Sequence, residues 1–170
     1  VAAELLSLQV QPDKASSEQE MLFQVTHQSA ELWMKLMLVE LDKALAHLAK
    51  DEILLAVRCF RLVNSIQHTL LFAVDSLGQH LSIIEYRSIR LALGQGSGLE
   101  SPGFNRLLDK TPELWTAFTA VLDRRGATLR DVYENYREQI ELHTLAECLM
   151  DYDDLFHKWR SHHFDMVART

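Results

Sequence analysis

Apolar and polar positions along the chain repeat with the period of amphipathic helices. From about Glu18 to Lys50 the apolar residues recur three, four and seven positions apart, which is the spacing of one helix face. Ser16 and Ser17 precede acidic and glutamine residues, as at a helix start. This pattern predicts a long helix whose buried stripe carries Leu22, Val25, Leu32, Leu36, Val39 and Leu45.

A second stripe predicts a helix that Asp51 caps and Gly78 ends. Two polar residues, Asn64 and Gln67, lie within this stripe, which predicts a buried hydrogen bond or a pocket wall. The stripe comprises Ile53, Val57, Phe60, Asn64, Gln67, Leu71 and Val74.

The second half of the chain predicts three further features. A helix from about Ser82 to Leu93 leads into the glycine-rich segment 94–103. Thr111, followed by a proline and a glutamate, is typical of the start of a helix, which Gly126 would end. Thr128 with Asp131 would begin a last helix that continues through residue 150 and on toward the end.

These elements predict an all-α fold, a single-domain helical bundle over residues 1–170. The segment 1–17 is expected to be an N-terminal arm, and 94–103 an active-site loop. The chain opens without a methionine and stops within a helical pattern with no capping signal, so we expect it to be incomplete at both ends. Bundle cores commonly hold cofactors between facing helices.

Composition narrows the possible functions. A net charge of −7 disfavours nucleic acid as the main partner, because phosphate binding needs a basic surface. No apolar run approaches the roughly 20 residues of a membrane span, and no secretion signal is visible. Cys59 and Cys148 lie far apart without a metal-binding pattern, which is typical of a reducing cytoplasm.

Two pairs of residues, each one helical turn apart, could form part of a binding site. Phe23 and His27 share a helix face, although a core phenylalanine beside a half-buried histidine is the commoner arrangement. Tyr86 and Arg90 share another face just before the glycine-rich segment that contains Ser97. The planar fork of an arginine suits a carboxylate, although an exposed arginine at a helix end is the commoner case.

Two adjacent histidines near the end of the sequence could each bind haem iron. His163 has Trp159 one turn before it and Met166 and Val167 one turn after, so it lies on an apolar stripe, as a proximal haem ligand does. His162 lies on a similar apolar stripe with Leu155 and Met166. Spacing alone does not separate the two, and two solvent-exposed histidines remain an even alternative.

Three blocks of sequence, in the same order, resemble the tryptophan 2,3-dioxygenase family. Residues 21–36 resemble its "LF…HQ…ELW.K" run, with Phe23 and His27 in register. Residues 86–101 resemble a block that begins with a tyrosine and an arginine and contains Ser-Gly, and residues 145–167 resemble its "F..WR..H" helix. Together the blocks span most of the chain.

This resemblance implies a dioxygenase that uses b-type haem and O2. It implies that His163, rather than His162, is the proximal iron ligand, that Trp159 contacts the haem, and that Ser97 contacts the haem edge or a propionate. It further implies that Phe23, His27 and Tyr86 line the distal pocket, with His27 the catalytic residue near the indole nitrogen and Arg90 holding the substrate carboxylate. The implied reaction cleaves the indole C2–C3 bond of L-tryptophan and gives N-formylkynurenine, in a cytoplasmic homo-oligomer, a dimer or tetramer.

The sequence also departs from the family pattern. The stretch 104–130 is shorter than its counterpart, the sequence stops before the family's Gly-Thr-Gly-Gly loop, and residues 1–10 contain no tyrosine. Asp75 and Gly78 stand where the family tends to have bulkier residues. An alternative is therefore a haem oxygenase, a mono- or dioxygenase, that acts on a modified indole or another aromatic amino acid. A haem-binding protein without turnover is a third possibility, which the presence of His27 and Arg90 disfavours.

Overall fold

A computed structural model describes residues 1–93 and 100–168 and shows an all-α protein. Within these residues the structure has helices and turns and no strand. The helices are α1 (Ala2–Leu6), a short 3-10 turn (Pro12–Lys14), α2 (Glu20–Ala49), α3 (Ile53–His80), α4 (Ile83–Leu93), α5 (Pro102–Arg125), α6 (Leu129–Glu134) and α7 (Ile140–Ala168). The predicted fold class is confirmed.

Helix α3 lies at the centre of the bundle, between α2 and α7, and α5 packs on α2. The stripe predicted for α3 is its buried face, on which Phe60 and Val63 are fully buried. The two polar residues in the stripe form buried hydrogen bonds to α7. Asn64 donates to the Cys148 carbonyl at 3.0 Å and Gln67 to the Tyr152 carbonyl at 3.1 Å. These bonds fix how α3 and α7 lie against each other.

The buried face of α2 is not the predicted one. Three residues of the predicted stripe are exposed: Val25 by 47%, Leu32 by 51% and Val39 by 45%. The side that packs on α3 and α5 instead carries Met34, Met37, Leu38, Leu41, Ala44 and Leu48. Both sides of α2 have apolar residues at helical spacing, so periodicity alone could not select the side that faces the core.

Helix α5 begins earlier than predicted. Ser101 is its N-cap and accepts a hydrogen bond from the Phe104 amide, and Pro102 occupies the first turn. Thr111 therefore caps no helix, and its hydroxyl donates to the Leu107 carbonyl within α5 at 3.1 Å. Pro112 lies inside the helix. Two Ser/Thr-Pro pairs offer the same signal, and packing against α2 extends the helix back to the first.

Three other predicted boundaries were wrong. Gly78 lies inside α3, which continues to His80. Asp51 does not cap α3; it adopts a left-handed conformation with φ of 62°, and its carboxylate binds Arg125 at 2.7 Å. Thr128 and Asp131 do form a reciprocal capping box, but the helix they begin ends at residue 134. A turn at 135–139 then separates α6 from α7. The predicted end of α5 at Gly126 is confirmed, since that glycine has a positive φ.

The first residues of the chain lie along the start of α2. The Gln9 side-chain amide donates to Gln28 at 2.5 Å, and the Val10 amide donates to Gln24 at 2.9 Å. Within residues 1–93 and 100–168 no helix is both long enough and apolar enough to cross a membrane.

Candidate functional site

A large cavity lies where α2, α4 and the start of α5 meet the last turns of α7. Its volume is about 960 Å³, at the upper end of the range for small-molecule and cofactor pockets. All but one of the predicted site residues line it, namely Phe23, His27, Tyr86, Arg90, Trp159 and His163. The remaining one, Ser97, lies outside the described residues. The structure therefore brings together six residues that the sequence distributes over three separate segments.

Helix α7 carries His163 into this cavity. The imidazole stacks on the indole of Trp159, one turn earlier, with ring centroids 5.4 Å apart and planes 20° from parallel. Burial lowers the pKa of His163, and the neighbouring His27 lowers it further. A neutral imidazole is the form that binds a metal ion.

The adjacent histidine points elsewhere. His162 does not line the cavity, is exposed, and hydrogen-bonds the carboxylate of Asp75 on α3 at 2.6 Å. Spacing alone did not show which of the two histidines faces the cavity. Successive helix residues point about 100° apart, and in the structure His163 faces the cavity while His162 does not. The role of His162 is a link between α7 and α3.

Helix α2 places Phe23 and His27 on the opposite wall. The two ring centroids lie 4.1 Å apart with their planes tilted by 33°, and His27 Nδ1 lies 2.7 Å from the Phe23 carbonyl oxygen. A carbonyl only accepts, so Nδ1 carries the proton and Nε2 keeps its lone pair. Burial lowers the pKa of His27, against smaller opposing effects of the Phe23 carbonyl and the Glu31 carboxylate. His27 thus presents a neutral nitrogen that can accept a proton or bind a metal ion.

Helix α4 supplies Tyr86 and Arg90 from a third side. The Tyr86 ring meets Phe23 edge to face at 6.3 Å, and both side chains are half-buried. This helix begins with a capping box, in which the Ser82 hydroxyl and the Glu85 carboxylate each accept the other residue's amide hydrogen. Its one buried residue is Ile89, so it rests on the bundle by a narrow contact.

Sequence reasoning missed the contact between Glu31 and the start of α5. The Glu31 carboxylate accepts hydrogen bonds from the Ser101 hydroxyl and from the Gly103 amide, the latter at 3.0 Å. It lines the cavity one turn after His27. Phe104 follows and contacts the Trp159 ring at 5.7 Å. The helical spacing of Glu31 from His27 was a signal in the sequence, but its partner some 70 residues away was not.

The residues that line the cavity fit a haem group. Across residues 1–93 and 100–168, no group of three or more His, Cys, Asp or Glu side chains could hold a metal ion. A single neutral histidine such as His163 holds iron when a macrocycle provides the other donors. Aromatic walls, with Arg160 and Ser101 also lining the cavity, suit an apolar ring with charged edges.

Comparison with known proteins agrees with this geometry. Residues 2–114 match the sequence model of one family, tryptophan 2,3-dioxygenase. The chain belongs to the tryptophan 2,3-dioxygenase family. The match includes α2 and α4, which carry Phe23, His27, Tyr86 and Arg90, and it ends before α7.

Relatives within the tryptophan 2,3-dioxygenase family extend the similarity over α7. The tryptophan 2,3-dioxygenase of Saccharopolyspora erythraea is 28% identical over 98% of this chain and 76% of its own length. That of Bradyrhizobium sp. strain BTAi1 is 30% identical over 95% of this chain and 76% of its own length. That of Bacillus cereus is 28% identical over 88% of this chain. The resemblance seen in the sequence is confirmed.

Proposed function

We propose that this protein is a haem-dependent dioxygenase that cleaves the indole C2–C3 bond of L-tryptophan with O2 to give N-formylkynurenine. Family membership supports the reaction class. The observation that carries the proposal for this chain is the cavity that gathers Phe23, His27, Tyr86, Arg90 and His163. Burial of the substrate there would exclude water.

His163 would be the iron ligand and Trp159 its support. The imidazole is neutral because burial lowers its pKa, and stacking on the indole of Trp159 fixes its orientation. Arg160 lines the same cavity and offers donors to the haem carboxylates. Bound b-type haem would supply the iron that activates O2.

The other walls would hold and orient the amino acid. Phe23 and Tyr86 present aromatic surfaces to the indole ring, and Arg90 presents a guanidinium to the carboxylate. His27 is the catalytic residue, since its Nε2 lone pair can accept the hydrogen bond of the indole N–H. Holding both ends of the substrate reduces the entropic cost of reaching the reactive geometry.

Haem binding and turnover test this proposal. Purified protein reconstituted with haem should show a Soret band, which His163→Ala should abolish. His162→Ala is the matched control, since that adjacent histidine faces away from the cavity, and it should keep the band. Reduced protein with L-tryptophan and O2 should form N-formylkynurenine, detected by its near-ultraviolet absorbance. A Soret band that survives His163→Ala would contradict the ligand assignment.

A second candidate is a haem oxygenase that acts on a modified indole or another aromatic amino acid. The alignment with the Saccharopolyspora relative spans 216 positions, more than the 170 residues of this chain, so the relative carries residues that have no counterpart here. Loss of residues that enclose a pocket would let it admit a different substrate. Product formation from a substituted indole but not from L-tryptophan would favour this candidate, and haem binding without any turnover would indicate a haem-binding protein. The homo-oligomer and the cytoplasmic location stay predictions.

A further inference from the structure

Two of the three histidines that line the cavity lie close together. His27 on α2 and His163 on α7 have ring centroids 6.3 Å apart, with ring planes at 72°. No hydrogen bond of the described residues joins the two rings. Each ring instead contacts an aromatic neighbour on its own helix. The ring centroids of His27 and Phe23 are 4.1 Å apart, and those of His163 and Trp159 are 5.4 Å apart.

This separation matches two imidazoles that bind one iron from opposite sides. A histidine nitrogen binds a metal ion at about 2.0–2.1 Å, and the ring centroid lies about 1 Å beyond that nitrogen, so two such rings have centroids about 6 Å apart. We propose that the haem iron, before substrate binds, is ligated by both His27 and His163, and that the aromatic substrate displaces His27. This inference rests on the proposed haem-dependent function.

The nitrogens of His27 suit this role. Its Nδ1–H donates to the Phe23 carbonyl at 2.7 Å, which leaves the Nε2 lone pair for the iron. A ring N–H bonded to a backbone carbonyl is the usual way in which proteins orient a histidine that binds a metal. The bond to Phe23 lies within one turn of α2, so the ring is oriented before haem binds.

An iron bound by both histidines would have no free position for O2. Iron bound to His163 would lie about 3 Å from that ring's centroid. Opening a position for O2 requires His27 to move away from the iron. Displacement of His27 by the substrate would free this position on the iron. It would also free Nε2 to accept a hydrogen bond from the indole N–H, so substrate binding and access of O2 to the iron would depend on one movement of His27.

The spin state of ferric haem in the full chain tests the proposal. In buffer free of imidazole, the wild-type protein should show the absorption and electron paramagnetic resonance spectra of six-coordinate low-spin iron. His27→Ala should keep its haem and become high-spin. His162→Ala, the matched control outside the cavity, should stay low-spin. Addition of L-tryptophan to the wild-type protein should convert the low-spin signal to high-spin in a saturable way.

Several outcomes would overturn the inference. Wild-type protein that binds haem in a high-spin state would contradict it while leaving the proposed function intact. A low-spin signal that survives in His27→Ala would mean a different sixth ligand, and hydroxide is recognised because acidification removes it. His27→Phe, which fills the space with a ring that cannot bind iron, repeats the test if the alanine variant folds poorly. Failure of the wild-type protein to bind haem at all would instead contradict the proposed function.

Discussion

At the scale of the residue, Arg90 has the least ambiguous chemistry in the cavity. It lines the same cavity as Tyr86 and Phe23, so the cavity carries a guanidinium as well as two aromatic rings. An amino acid with an aromatic side chain has the matching arrangement, a carboxylate a short distance from a ring. A charge-assisted hydrogen bond contributes about 1.5–3 kcal/mol to binding, whereas an aromatic pair contributes about 0.5–1.5 kcal/mol. The aromatic contacts therefore do not compensate for loss of the hydrogen bond to the carboxylate.

Arg90→Ala should therefore weaken binding of L-tryptophan roughly ten- to a hundredfold, because the carboxylate loses its partner. Tryptamine, which keeps the indole and the amine but has no carboxylate, should bind nearly as before. Equilibrium titration of the haem spectrum with each compound measures both affinities. Arg87→Ala is the control, since Arg87 is on the same helix but does not line the cavity. An equal loss for both compounds would contradict the assigned role of Arg90.

At the scale of the element, Gly78 and Gly103, which both lie inside helices of the described residues, differ in what surrounds them. A Cβ on Gly103 would lie 2.8 Å from both Met34 Cβ and Glu31 Oε2, whereas one on Gly78 would meet nothing closer than Met166 at 4.0 Å. Gly103→Ala should lower the free energy of unfolding by about 1–3 kcal/mol through overpacking of α5 on α2. Gly78→Ala should raise it by about 0.5–1 kcal/mol through helix propensity. Denaturant unfolding of both variants measures this, and the same sign for both would contradict the packing described.

The start of α2 gives a prediction with a defined pH dependence. The buried Glu20 carboxylate accepts hydrogen bonds from the Ser16 hydroxyl and amide at 2.7 and 2.6 Å, and these lower its pKa below the ordinary 4.5. A carboxyl group whose pKa is lower in the folded protein than in the unfolded chain stabilises the fold at pH values above the ordinary pKa. That stabilisation is lost as the pH falls through the pKa of the folded protein. Glu20→Gln should thus cost about 1–2 kcal/mol at neutral pH, and the difference should shrink in acid.

Unfolding curves at several pH values measure this difference between the wild-type protein and Glu20→Gln. Glu18→Gln makes the same change of charge at an exposed position two residues earlier, so it serves as the control and should have little effect. A difference between wild type and Glu20→Gln that persists unchanged in acid would mean that the carboxylate charge is not what stabilises the segment.

The helices also show how far sequence patterns reach. The stripe of α3 was predictable because its apolar residues occupy one face, and the polar Asn64 and Gln67 within it do form buried hydrogen bonds. The stripe of α2 was not, because an apolar face also points outward. The start of α5 was missed for a similar reason, since the sequence offers two serine- or threonine-proline pairs. Where the local sequence allows two apolar faces or two helix starts, contacts between helices that are distant in sequence determine which one forms.

The same limit applies to the site at the scale of the whole molecule. Phe23 with His27, and Trp159 with His163, are one turn apart, so helical spacing was enough to predict each pair. The two pairs meet in one cavity because α2, α4 and α7 converge. Helical spacing does not encode this convergence, and only the resemblance to the family indicated it. Neither spacing nor resemblance led us to the bond between Glu31 and the amide of Gly103, which joins α2 to the helix after the glycine-rich segment.

The outward apolar face of α2 bears on the assembly of the whole molecule. Val25, Leu32 and Val39 follow each other at intervals of seven residues, lie on one side of the helix, and are each about half exposed. A row of exposed apolar residues along a long helix favours burial against a partner of the same kind, and closed symmetric dimers are the commonest result. The predicted homo-oligomer would use this face.

The double variant Val25→Glu with Val39→Glu should therefore shift the protein toward the monomer, because it would place carboxylates within a buried contact. Light scattering coupled to size-exclusion chromatography measures the mass of each species, and circular dichroism checks that the variant keeps its helices. Ile84→Glu is the control, since Ile84 is 77% exposed and equally apolar but belongs to α4. If the wild-type protein is already a monomer, or if Ile84→Glu dissociates it as readily as the double variant, the face on α2 is not the contact between subunits.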